Sequence, residues 1–237
     1  MSEQRIGVRT LDQWDLIWPE IFDYYQQDLR HAHYVNAFLT DTDERILEIG
    51  AGSFRDMALL NRVGVNCSGM DFSYASVKMA KFEFPNLADK IFQGDAFNLS
   101  SVPDKAFDVS FHNGFWAYFE DNEISRLVIE QARVSRYRVM ATVHNAHNPQ
   151  FVEYFAKLAE ENPLYQTRFF EVGEIQEHLL KVCRSVVTVP VGKGKKYHED
   201  AMINQGTTSR AQLRNFLTQA GMEHLAVSER LLCIGQL

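Results

Sequence analysis

Between residues 45 and 144 the chain alternates short runs rich in β-branched and aromatic residues with longer runs whose apolar positions recur every three or four residues. The short runs cover 45–49, 66–70, 90–93, 107–112 and 137–144, and the helical runs between them cover 54–63, 74–84 and 124–134. Strands joined through helices of this length pair in parallel, by right-handed crossovers that lay helices on both faces of one sheet. This predicts an α/β fold, doubly wound around a mostly parallel sheet.

The rest of the chain extends that frame. Residues 149–161, 172–183 and 209–220 read as helices, 185–191 as a strand, 192–207 as a loop and 225–237 as strand-rich; following a helix, that tail is expected to return antiparallel at the sheet edge. That tail supplies one or two strands. At the other end, Leu11, Trp14, Trp18, Ile21, Tyr25 and Leu29 keep helical spacing, with Pro19 expected to kink or restart the helix. We expect one domain over 1–237, with a helical cap over 1–40 and an inserted lid or substrate region at about 145–207. Hydrophobic residues at 46% and charged residues at 23% are ordinary for a globular chain and exclude extended disorder. A net charge of −7 argues against nucleic-acid partners, and the chain carries no apolar run long enough for a membrane span. Cys67, Cys183 and Cys233 are widely spaced and fit reduced thiols in a cytoplasmic protein. Oligomeric state has no sequence signal.

The first strand runs into Gly50-Ala51-Gly52, where glycines permit a sharp turn and close approach of a ligand to the next helix N-terminus. A dinucleotide fingerprint requires a third glycine, and Arg55 stands in its place. Asp71, about twenty residues after Gly50, suits a ribose in either a dinucleotide or another adenosyl ligand. Glu48 separates the two. A carboxylate just before the turn would repel a pyrophosphate but suits a ligand with an amino group and a sulfonium.

With these residues the sequence resembles the class I methyltransferases that use S-adenosylmethionine (SAM), over about 46–143 and more loosely through the tail. "LEIGAGS" is similar to their first motif, with Glu48, Gly50, Ala51 and Gly52; "GMDFS" to the second, with Asp71 at the ribose and Phe72 beside the adenine. "QGDAFNL" is similar to the third, where Asp95 would accept from the adenine amino group and Ala96 N–H would reach the ring. "FDVSFHNGFWAYF" is similar to the fourth, with His112 and Asn113 under the methionine moiety. The resemblance implies a Rossmann-like seven-stranded sheet, SAM as cofactor and S-adenosylhomocysteine (SAH) as product. It departs at Phe54, where many members have a glycine, so the ring must cover the ligand or point away.

Methyl transfer to a hydroxyl gains from a positioned base, and histidine is the usual one near neutral pH. His144 and His147, after the fifth strand, and His112, after the fourth, are the catalytic candidates. No metal is expected, because His144 and His147 lack further ligands at metal spacing. The expected activity is methylation of a small molecule, such as a hydroxyl of a sugar or other metabolite. The alternative is a catalytically silent SAM-binding regulator or partner, with Phe54 blocking the site.

Overall fold

The alternating runs become strands β1 (Ile46–Ile49), β2 (Cys67–Asp71), β3 (Ile91–Gln93), β4 (Phe107–Asn113) and β5 (Ser135–His144), followed by β6 (Ser185–Val191) and β7 (Arg230–Gln236). The structure, a computed structural model, describes Val8, residues 10–192, Met202, Ile203 and residues 209–237. Most of the predicted 192–207 loop therefore lies outside the described residues. The strands form a seven-stranded sheet of order β3-β2-β1-β4-β5-β7-β6. β1 to β5 pair in parallel, and β7 runs antiparallel to both β5 and β6.

The C-terminal strand is thus antiparallel as predicted but sits one place in from the edge, which β6 occupies. Leu231 to Ile234 are buried regardless of which face they point to, as an inner strand requires. The start of β6 alternates exposed and half-buried positions, as an edge strand can.

Helices cover both faces: α1 (Leu11–Tyr25), α2 (Arg30–Phe38), α3 (Arg55–Arg62), α4 (Tyr74–Glu83), α5 (Asp121–Val134), α6 (Pro149–Ala159), α7 (Val172–Leu180) and α8 (Arg210–Gln219). Strand side chains alternate between two apolar cores. Ile46, Val109, Phe111, Met140 and Leu232 pack with α1, α2, α3 and α8, whereas Leu47, Ile49, Ala141, Val143 and Leu231 pack with α5 and α7. α1 runs unbroken through Pro19, contrary to the predicted restart. Trp18 and Phe22 on either side of the proline are buried, and that packing offsets the missing backbone hydrogen bond. The strand order reverses between β1 and β4, so the loops after these strands diverge and open a crevice at their carboxyl ends.

One buried ion pair ties the entry of the sheet to α2. Arg138 donates through Nη1 to the Phe38 carbonyl at 2.6 Å and through Nη2 to the Asp43 carboxylate. Removing the acid alone leaves a buried guanidinium without its counter-charge. Asp43→Ala is expected to lower unfolding free energy by about 3–5 kcal/mol, read as a lower urea midpoint with an unchanged slope; a change under about 1 kcal/mol would mean that water replaces the carboxylate.

Candidate active site

The turn from β1 into α3 is built on Gly50 and Gly52, with φ of 61° and 56°. A Cβ on Gly50 would lie 2.5 Å from Phe115 Cδ2, and one on Gly52 would lie 2.4 Å from Trp18 Cη2. Positive φ and the approaching rings each demand glycine here. Two buried carboxylates fix the turn. Asp71 accepts from Gly52 N–H and Ser73 N–H, both at 2.9 Å. Glu48 accepts from Met57 N–H at 2.9 Å, serving a helix start whose N-cap residue, Phe54, offers no capping side chain. Burial, with Asp56 close by, pushes the Glu48 carboxyl well above the ordinary carboxylate range.

Phe54 turns away from the crevice and is fully buried. A Cβ on Gly69 would lie 2.7 Å from Phe54 Cδ1, so the ring occupies the space that the β2 glycine leaves open. The small residue that makes room for this helix start lies on β2.

At the strand ends is a cavity of about 340 Å³ whose wall includes Glu48, Gly50, Ala51, Gly52, Asp71, Phe72, Asp95, Ala96, Asn113 and His144. Nine of the ten residues expected to bind the cofactor from sequence therefore meet around one space; the tenth, His112, does not. Its ring is fully buried against Trp116, with ring centroids 4.6 Å apart, and neither nitrogen has a hydrogen-bond partner. Burial pushes its pKa down to about 3. It alternates with Phe111 and Asn113 along β4 and so faces the opposite core.

His147 is also outside the wall. Its Nε2 accepts from Val172 N–H at 3.2 Å and thereby caps α7. His144 is the histidine that reaches the cavity. Its Nδ1 lies 3.3 Å from the Arg168 carbonyl and 3.3 Å from Thr167 Oγ1, so Nδ1 carries the proton and Nε2 is left as the acceptor nitrogen. Phe169 stacks on the ring at 5.2 Å. Burial, reinforced by the Arg230 charge, holds its pKa well below the ordinary histidine value.

Val8, Trp14, Trp18 and Tyr25, from the segment expected to form a helical cap, contribute to the wall. Of the described residues in 145–192, none is in the wall, and Phe151, Phe155 and Phe169 pack against the His144 ring. Arg55 and Arg230 also line the space. Asp56, fully buried, holds His31 Nδ1 at 2.7 Å and Asn113 Nδ2 at 3.2 Å through Oδ2, while its Oδ1 has no hydrogen-bond partner. His31 in turn reaches Thr142 Oγ1 at 2.7 Å. These contacts join residues distant in sequence, and no local motif announces them.

Asp121, Glu174 and His178 come close enough together to ligate a metal, but the Arg168 guanidinium is bonded to both carboxylates. A cation there would have to displace an existing one. Among the described residues, no helix is long and apolar enough to cross a membrane.

Residues 47–138 match the family model of the methyltransferase domain. A SAM-dependent methyltransferase from Archaeoglobus fulgidus superposes with a TM-score of 0.64 at 18% identity, covering 91% of this chain and 94% of that one. A Haloferax volcanii methyltransferase, solved with the Trm112 activator, gives 0.62 at 17% identity over 97% and 98% of the two chains. Streptomyces coelicolor geranyl diphosphate C-methyltransferase, solved with Mg²⁺, a thiolodiphosphate analogue and SAH, gives 0.55 at 12% identity over 87% and 73%. No curated protein sequence matches. The shared fold is that of the SAM-dependent enzymes.

The Gly52–Trp18 contact makes α1 part of the turn. Gly52→Ala is expected to destabilise the protein by about 1–3 kcal/mol through overpacking and the positive φ. Adding Trp18→Ala should recover the overpacking share in a double-mutant cycle followed by urea unfolding; strictly additive losses would show that the ring and the turn do not press on each other.

Proposed function

We propose that this chain, which carries a SAM-dependent methyltransferase domain, transfers the methyl group of SAM to a small molecule held beside His144. The observation that carries this reading is a cavity at the strand-order reversal whose wall holds the glycine turn, Asp71 and His144. SAM supplies an electrophilic methyl on a sulfonium and leaves as SAH. The chain's residues bind and orient.

Asp71 is the acceptor for the ribose hydroxyls, Phe72 and the Ala96 N–H flank the adenine, and Asp95 accepts from its amino group. At the amino-acid end, Asn113 and Asp56 Oδ1, which accepts no hydrogen bond and faces Arg55 Nε at 3.9 Å, suit an ammonium group. We assign that role to Asp56 beside Glu48, because one Glu48 oxygen already serves α3. His144, neutral through the physiological range, offers Nε2 to a proton on the acceptor. Its depressed basicity suits an acceptor whose own proton is acidic. A sugar hydroxyl gains no support: Trp14, Phe115, Tyr118 and Phe119 make the acceptor end chiefly aromatic. The silent-binder alternative rested on occlusion by Phe54, which is not in the wall. Three free, buried thiols suit a reducing cytoplasm.

Calorimetric titration should show SAM and SAH binding in the micromolar range with NAD silent; no adenosyl binding would refute the reading. Burial pushes the Asp71 carboxyl up to about 6. The carboxylate is the form that can accept two hydroxyls, so SAH affinity should fall about tenfold per unit as pH drops below that value. The same raised pKa means that the fold holds this proton more tightly than the unfolded chain, so Asp71's own contribution to stability decreases as pH rises from about 4 to about 6. Asp71→Asn should abolish the pH dependence of binding. His144→Gln should leave SAH affinity within about threefold and lower methyl transfer from labelled SAM to a panel of phenols and acids by roughly 10²–10⁴; an unaltered rate would return His144 to a structural role.

A further inference from the structure

In the cavity wall that includes His144, the Arg230 guanidinium makes no ion pair with any described residue. Arg230 opens β7 directly opposite His144, the last residue of β5, in the antiparallel register. Directly opposed residues point to the same face of a sheet, so this arginine and the candidate base stand side by side in the cavity wall. A Cβ added to Gly114 would lie 3.6 Å from Arg230 Nη1, so the side chain extends over the bare backbone at the end of β4. Nη1 is buried and has no hydrogen-bond partner. Among the described residues, no carboxylate lies within ion-pair distance of the guanidinium; the Phe151 ring is 5.7 Å away, and Glu229, Tyr25 and Tyr118 are near enough to act on its charge. Arg55, the other arginine in the wall, differs. It donates to the Tyr25 carbonyl and approaches Asp56 Oδ1 at 3.9 Å.

A fixed cation buried without a partner is costly, and a planar fork of donors is suited to a carboxylate or phosphate. The acidic residues of the wall, Glu48, Asp56, Asp71 and Asp95, are assigned to the glycine turn and the cofactor, and none of them pairs with Arg230. We propose that the methyl acceptor is an anion, and that Arg230 is the specificity-determining residue that binds its carboxylate or phosphate. The inference rests on the methyltransferase reading and adds the acceptor's charge. It also accounts for the company His144 keeps: the guanidinium beside the buried imidazole places the anionic end of the acceptor within reach of both.

The test is a titration of the SAH-loaded full-length protein with benzoate, phenyl phosphate and their neutral analogue benzamide. At least one of the two anions should bind about tenfold or more tightly than benzamide. Stronger benzoate binding would identify a carboxylate acceptor, and stronger phenyl phosphate binding a phosphate. Arg230→Gln should erase the preference and leave SAH affinity within about threefold, and Arg230→Lys should retain part of it. Equal affinity for anions and amide, or no binding of either anion at millimolar concentration, overturns the proposal. So does a large loss of SAH affinity in Arg230→Gln, which would assign the guanidinium to the cofactor's own carboxylate. Failure of SAH to bind the wild-type protein would instead refute the methyltransferase reading; benzoate against benzamide on the protein alone would then still decide whether Arg230 makes an anion site.

Discussion

The backbone between β1 and α3 is held by carboxylates that the chain has taken out of water. Asp71 secures the amides of Gly52 and Ser73, and Glu48 secures the amide of Met57. The Asp71–Gly52 bond ties the end of β2 to the turn that leaves β1, and the Glu48–Met57 bond ties β1 to the helix after that turn, so together they set where the glycine turn lies relative to β1 and β2. The position of Trp18 follows from that, because its ring can reach the turn only where Gly52 has no side chain. The position of Phe115 against Gly50 follows in the same way. The cavity floor and much of its wall are consequences of three or four backbone amides finding acidic partners.

The arrangement carries an electrostatic cost. Glu48, Asp56 and Asp71 are all buried in one region, and burial raises the pKa of Glu48 and Asp71. Asp56 goes the other way: His31, Arg55 and Asn113 stabilise its charge and lower its pKa despite its burial. Neighbouring carboxyls are thus split into one that holds its charge firmly and others that ionise less readily. Such a split is what a site needs when it must present one strong anion and also use acids as backbone acceptors.

Much of this was legible in the sequence because it is carried by local patterns. The alternation of runs predicts β1 to β5 and α3 to α5 to within a few residues, and the motifs around Gly50, Asp71, Asp95 and Asn113 converge on one cavity. What could not be read depends on partners far apart in the chain. Pro19 marks a break by its own chemistry, and only the burial of Trp18 and Phe22 overrides it. Phe54 looks like an obstruction until Gly69, on a different element, is seen to receive its ring. His112 and His147 sit at strand ends as His144 does. The pleat sends the first into the far core, and the α7 N-terminus occupies the second. Arg230 carries no motif and becomes notable only through its register with His144.

That register has a consequence for the order in which the protein can become competent. The wall around the glycine turn, Asp71 and Asn113 is encoded before residue 120, whereas the strand that brings Arg230 beside His144 is encoded after residue 229. As the chain leaves the ribosome, the residues of the glycine turn therefore emerge long before the strand that covers the outer side of β5. Docking of that antiparallel strand completes the sheet and brings Arg230 beside His144.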